Sequence, residues 1–170
     1  MLIKTGLSFK GKLTLTKRDT MGKVKNKTII IANRIMNDAL DEVIKALYYQ
    51  YNANMICKHI AIGDDATANV DTLTDLYNEI YRVPIISKIR TGIGVMQARA
   101  ILQDTQPEDT AGVCTIREVG LFAGSNSYDW LEGSGANFGL MISRVVLNPV
   151  ENKLATEEIQ FTWEYEFARG

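Results

Sequence analysis

Side chains able to do chemistry are sparse in this chain, and their spacing limits what each can be. His59 is the single histidine, so Cys/His metal sites and histidine-based triads lack material. Cys57 and Cys114 form no CxxC pair and read as small buried residues of a reducing compartment. Asp64, Asp65, Asp71 and Asp75 supply oxygen atoms, but not at the alternate positions, closed by a glutamate, that an EF-hand uses. A solvated loop is the expectation there. TGIGV, residues 91 to 95, echoes a phosphate-binding turn without completing GxGxxG, and reads as a bulge or turn. Tyr128, Trp130 and Phe138 sit in a stretch rich in Gly, Ser and Asn, residues 124 to 139. Such aromatics either stack on sugars, anchor in a partner's pocket, or tuck back onto a sheet. No carboxylate pair, nucleophile with base, or cofactor fingerprint emerges, so no catalytic, cofactor or metal residue is assigned and an enzyme is the weaker reading.

One acid stands apart. In TIREVGLFAG, residues 115 to 124, strict alternation puts Cys114, Ile116, Glu118 and Phe122 on one side, with Arg117, Val119 and Leu121 on the other. Glu118 then lies among apolar neighbours. Burying an unpaired carboxylate is costly, so it needs a cationic partner. Arg82 or Arg144, from neighbouring strands, would offer a bidentate one.

The elements that must position these residues follow from hydrophobic period. Leu7, Phe9, Leu13 and Leu15 recur at a spacing of two, which predicts a strand or hairpin, followed by a turn in KRDTMGKVKNK and an extended TIIIA. From 33 to 51 the period changes. Ile35, Met36, Ala39, Leu40, Val43, Ile44, Leu47, Tyr48 and Tyr51 fall on one helical face, with Asn33 as cap, which predicts one long packed helix. MICKHIAIG predicts a strand with Ile56, Ile60 and Ile62 on one side and Cys57, His59 and Ala61 on the other. TLTDLYNEIYRVPI runs into an extended stretch that Pro84 marks as an edge. VMQARAIL, LMISRVVL and EIQFTWEYEF are further strands, the last with Ile159, Phe161, Trp163, Tyr165 and Phe167 on its buried face. The fold class expected is α+β and mostly β: an antiparallel sheet or β-sandwich with the helix packed on it.

Composition bounds the function. A chain of 170 residues suits one compact domain, here residues 28 to 170, plus a basic N-terminal arm or hairpin, residues 1 to 27. A formal net charge of -1 argues for neither nucleic acid nor an acidic surface as the main partner. No segment approaches a membrane span or a secretory leader, so synthesis and folding in a cytoplasm are expected. Lys10, Lys12, Lys17 and Arg18 nonetheless concentrate positive charge near the start of the chain. They are either solvated or a docking surface for an acidic partner.

Taken in order, GKLTLTKRDTMGKVKNK leading to TIIIANRIMNDAL, then HIAIGDDATANVDTLTDLYNEIYR, TIREVGLFAG, ISRVVLNPVENK and EIQFTWEYEF resemble a loose family of bacteriophage and prophage virion proteins. Members are tail-fibre or baseplate attachment modules and related components. The family pattern is similar to "iaiG, loop, L, E, R", then "i, E, GLf", then "aRv, i, K", then a closing alternating strand. The resemblance implies a non-enzymatic virion part on a symmetric scaffold, with no cofactor, whose matching polar positions are Glu79, Arg82, Glu118, Arg144 and Lys153. It implies other virion structural proteins as partners, homo-oligomerisation, and a place in the virion after synthesis in the bacterial host. The chain ends at Gly170 directly after its last strand, which favours an adaptor, ring or decoration component over a fibre tip. The alternative is a carbohydrate- or receptor-binding module using the aromatic loop.

Overall fold

The structure, a computed structural model, describes residues 7–31, 34–37, 39–40, 56–107, 112–124 and 139–169. These residues build two antiparallel five-stranded sheets. The strands are β1 (Leu7–Asp19), β2 (Val24–Ile30), β3 (Arg34–Ile35), β4 (Cys57–Gly63) and β5 (Glu79–Pro84), then β6 (Ser87–Gly92), β7 (Val95–Leu102), β8 (Val113–Ala123), β9 (Leu140–Leu154) and β10 (Glu157–Arg169). Sheet A runs β2-β1-β10-β7-β6, and sheet B runs β3-β9-β8-β4-β5.

Alternation explains sheet A. Ile159, Phe161, Trp163 and Tyr165 of β10 are buried with Leu13 and Leu15 of β1 and Ala100 and Leu102 of β7. Their neighbours Thr14, Thr162 and Gln160 point to the wet face. Leu13 pairs with Trp163 and Leu15 with Phe161, so large apolar side chains meet across strands. This face packs on Ile60, Ile62, Tyr81, Val83, Val119, Leu121, Ile142, Val145 and Leu147 of sheet B, giving one sandwich core. The expected boundary at residue 27 falls within β2, and β1 runs beside β10 along its whole length.

The long helix over 33 to 51 is corrected. Arg34 and Ile35 are a short strand paired with Arg144 and Ser143 of β9. Among the described residues only Asn37, Ala39 and Leu40 that follow are helical, with Leu40 N–H donating to the Met36 carbonyl at 3.2 Å, and residues 41 to 55 lie outside the described residues. The fold is therefore nearly all β in its described part, a sandwich of two antiparallel sheets. Pro84 does close an edge strand, β5.

Two irregularities reverse the expected faces in sheet B. Pairing of β8 with β9 breaks between Ile116, which faces Glu151, and Glu118, which faces Val146, so Arg117 alone stands against residues 147 to 150 of β9. Cys114 and Ile116 consequently enter the core with Val119 and Leu121, and Glu118 and Phe122 take the opposite face. A second break at Lys58 turns Cys57 into the core with Ile60, away from His59 and Ala61, while Ile56 stays 37% exposed. A break that puts unequal numbers of residues on the two strands changes the side each later residue faces.

A buried charge layer as the candidate functional site

The outer face of sheet B is not wet. Its residues follow from register: Arg144 of β9 pairs with Gly120 of β8, Gly120 with Ala61 of β4, and Ala61 with Arg82 of β5. The next row reads Glu118, Gly63, Glu79. Two long cations and two carboxylates thus share one face, separated by residues with one side-chain carbon or none. Arg82, Glu118 and Arg144 are each at most 1% exposed.

Each charge has a partner. Arg144 Nε donates to Glu118 Oε2 at 2.6 Å. Arg82 makes a two-pronged contact with Glu79, Nε to Oε1 at 2.9 Å and Nη2 to Oε2 at 2.5 Å. The flat guanidinium groups also lie over aromatic rings, Arg82 at 3.9 Å from the Phe122 centroid and Arg144 at 4.8 Å from that of Tyr77. These cation–π contacts occupy the faces that no hydrogen bond can use. Burial pushes the Glu79 carboxyl above its ordinary range, against the pull of Arg82, and the Asp75 and Glu118 charges add to the rise.

The layer is roofed by the segment from 64 to 78, which connects β4 to β5. Glu118 holds it: Oε1 accepts from the Asn78 N–H at 2.9 Å and Oε2 from the Tyr77 N–H at 3.4 Å. Arg144 Nη1 donates to the Thr67 carbonyl at 2.9 Å and to Asn69 Oδ1, while Asn69 Nδ2 returns a bond to the Arg144 carbonyl at 3.2 Å. Leu73 and Leu76 press from the same segment onto Met36, Ala61, Phe122 and Met141. Glycine is required beneath. A Cβ on Gly63 would meet the Asn78 carbonyl at 2.5 Å, and one on Gly120 would meet Leu76 Cδ2 at 2.9 Å. Both Glu118 oxygens accept bonds from this segment, and Oε2 also from Arg144, which ties the loop to the sheet.

Of the residues singled out in the sequence, Glu79, Arg82, Glu118 and Arg144 come together here. Lys153 does not. It pairs with Cys114 at the other end of β8, and its ammonium group, 2% exposed overall, donates to the carbonyls of Asp104 at 3.0 Å and Leu154 at 3.3 Å. Burial pushes its pKa down, with the Cys114, Asp104 and Glu157 side chains opposing. Lys10 and Lys12 are exposed opposite Glu166 and Glu164. Lys17 is turned inward and binds Glu151 at 2.6 Å, close to Glu157, which Lys25 meets at 2.9 Å. Arg18 donates to the Gly22 carbonyl at 3.1 Å and lies 3.8 Å from Glu158. Tyr128, Trp130 and Phe138 lie outside the described residues. His59 is buried, and no cluster of three potential metal ligands occurs among the described residues. Sequence reasoning missed Thr67, Asn69, Gly63, Gly120 and the carboxylates of Glu151 and Glu157. Gly63 and Gly120 did carry a signal, since a glycine inside a strand marks a close approach by another group.

No family model, curated protein or solved structure matches this chain.

Proposed function

We propose that the chain is a non-enzymatic structural subunit of a bacteriophage virion, an adaptor, ring or decoration component that docks to neighbouring subunits in the tail, baseplate or neck. The observation that carries this reading is the charge layer. Of the polar positions on which the virion resemblance rests, Glu118 and Arg144 bond the segment 64–78 onto sheet B, while Glu79 and Arg82 pair with each other on the same face. A surface loop fixed before contact loses little conformational entropy on binding, which suits repeated docking in an ordered particle. On this reading its partners are other virion proteins and further copies of itself, and it is made in the bacterial host before incorporation.

The test is direct. Particles purified from the bacterium that carries this sequence are expected to contain the chain at a fixed ratio to the other virion proteins, and labelled particles to show it at one location by electron microscopy. Its absence from purified particles would overturn the proposal.

A further inference from the structure

Sheet A ends in two open strands, β2 and β6, and among the described residues neither has a second neighbour. An open edge presents unpaired N–H and C=O groups that another extended segment can satisfy. The side chains along β2 restrict which segment that is. Lys27 and Ile29 pair with Thr16 and Thr14, so they point to the wet face of sheet A, and alternation places Ile31 beside them. Ile29 is 49% exposed and Ile31 77%. The edge therefore offers a cation followed by two apolar side chains at every second position.

A second copy of this chain does not suit that edge. β2 carries Lys25 and Lys27, β6 carries Lys88 and Arg90, and neither contains an acid. Pairing β2 with either edge of sheet A in another copy brings cations into facing rows, which is unfavourable across strands. The edges of sheet B offer no acid either, because β3 has two residues and Glu79 of β5 is committed to Arg82. We propose that β2 accepts, as a sixth strand of sheet A, an extended segment of a different subunit that sets a carboxylate against Lys27 and β-branched residues against Ile29 and Ile31. This rests on the structural-subunit reading, with the charge pattern choosing the partner.

The experiment uses the full chain and two synthetic peptides of alternating threonine and β-branched residues, identical except for glutamate or lysine at the position opposite Lys27. The glutamate peptide is expected to bind roughly threefold to tenfold more tightly, the size of one cross-strand charge pair and its repulsive counterpart. Its binding should slow amide exchange in Val24–Ile30. Lys27→Glu, at an exposed position, should invert the preference. Equal affinity for both peptides, no binding, or protection at Ser87–Gly92 instead would overturn the proposal, as would protection of β2 that grows with concentration of the protein alone. Peptide binding by a chain that is missing from particles would sink the virion reading and leave this edge assignment standing.

Discussion

Removing the Glu118 carboxylate would strand the Arg144 guanidinium in a site that water does not reach. Losing one partner of a buried pair costs about 3–5 kcal/mol, so Glu118→Ala should lower the unfolding free energy, read from urea denaturation, by that much. The same change should speed hydrogen exchange at the Tyr77 and Asn78 amides, because those two groups lose their acceptor. Glu157 gives a prediction in pH. Burial alone would raise its pKa, but the Leu154 N–H and the Lys25 and Lys17 ammonium groups more than offset this and hold it below the usual range. A carboxyl that is more acidic folded than unfolded contributes stability above its unfolded pKa and loses it as pH falls through the folded one. Acid melts of Glu157→Gln should therefore show a shallower loss of stability below the ordinary glutamate range than the parent. The need for an arginine beside Glu118 was legible from one acid in an apolar strand. Which arginine was not, because the choice depends on strand order: β9 is the neighbour of β8, whereas β4 separates β8 from Arg82.

At the scale of the element, the breaks at Lys58 and Arg117, two of the four in sheet B among the described residues, decide which side chains meet. Around Arg117 the pattern is Ile116 inward, Glu118 outward, Val119 inward, so the strand is already in phase if Arg117 is skipped. Deleting Arg117 should leave a folded protein with the Glu118–Arg144 pair intact. Deleting Gly120 should not, since Val119 and Leu121 could no longer both face the core. Thermal melts of the two deletions separate these outcomes. The same breaks explain where period reading failed. Alternation was sound along β10 and β7, which pair in an unbroken register, and it reversed where an extra residue slipped the phase. The expected helix has a related cause at its start. Ile35 packs on the main core and Met36 on the cluster beyond sheet B, so adjacent residues are buried on two faces of an extended chain. Two adjacent apolar residues look helical when the second buried face is not anticipated.

The whole molecule is held by contacts distant in sequence, above all the pairing of β1 with β10, residue 7 to residue 169. Sheet A has β10 as its middle strand, so a chain truncated before Glu157 should fail to fold, which circular dichroism and proteolysis would show. Because such pairings require closing long loops, refolding of the intact chain should fall in the millisecond-to-second range of β-sandwiches when followed by stopped-flow fluorescence. The mostly-β character was legible in the number and alternation of the strands, with one sheet or a sandwich left open. The division into two sheets was not legible, because it depends on where the chain passes from one sheet to the other, as it does at 85–86 between β5 of sheet B and β6 of sheet A. The β1–β10 register also has a mechanical side. Leu7 and Arg169 lie opposite each other at the same end of the antiparallel pair, and its hydrogen bonds run across the strands. Tension applied between those two points opens the ladder like a zipper, one rung after another, whereas a pull at Leu7 and Glu157 would load all the rungs at once. A subunit that bears force in an assembly would thus be anchored through opposite ends of this ribbon.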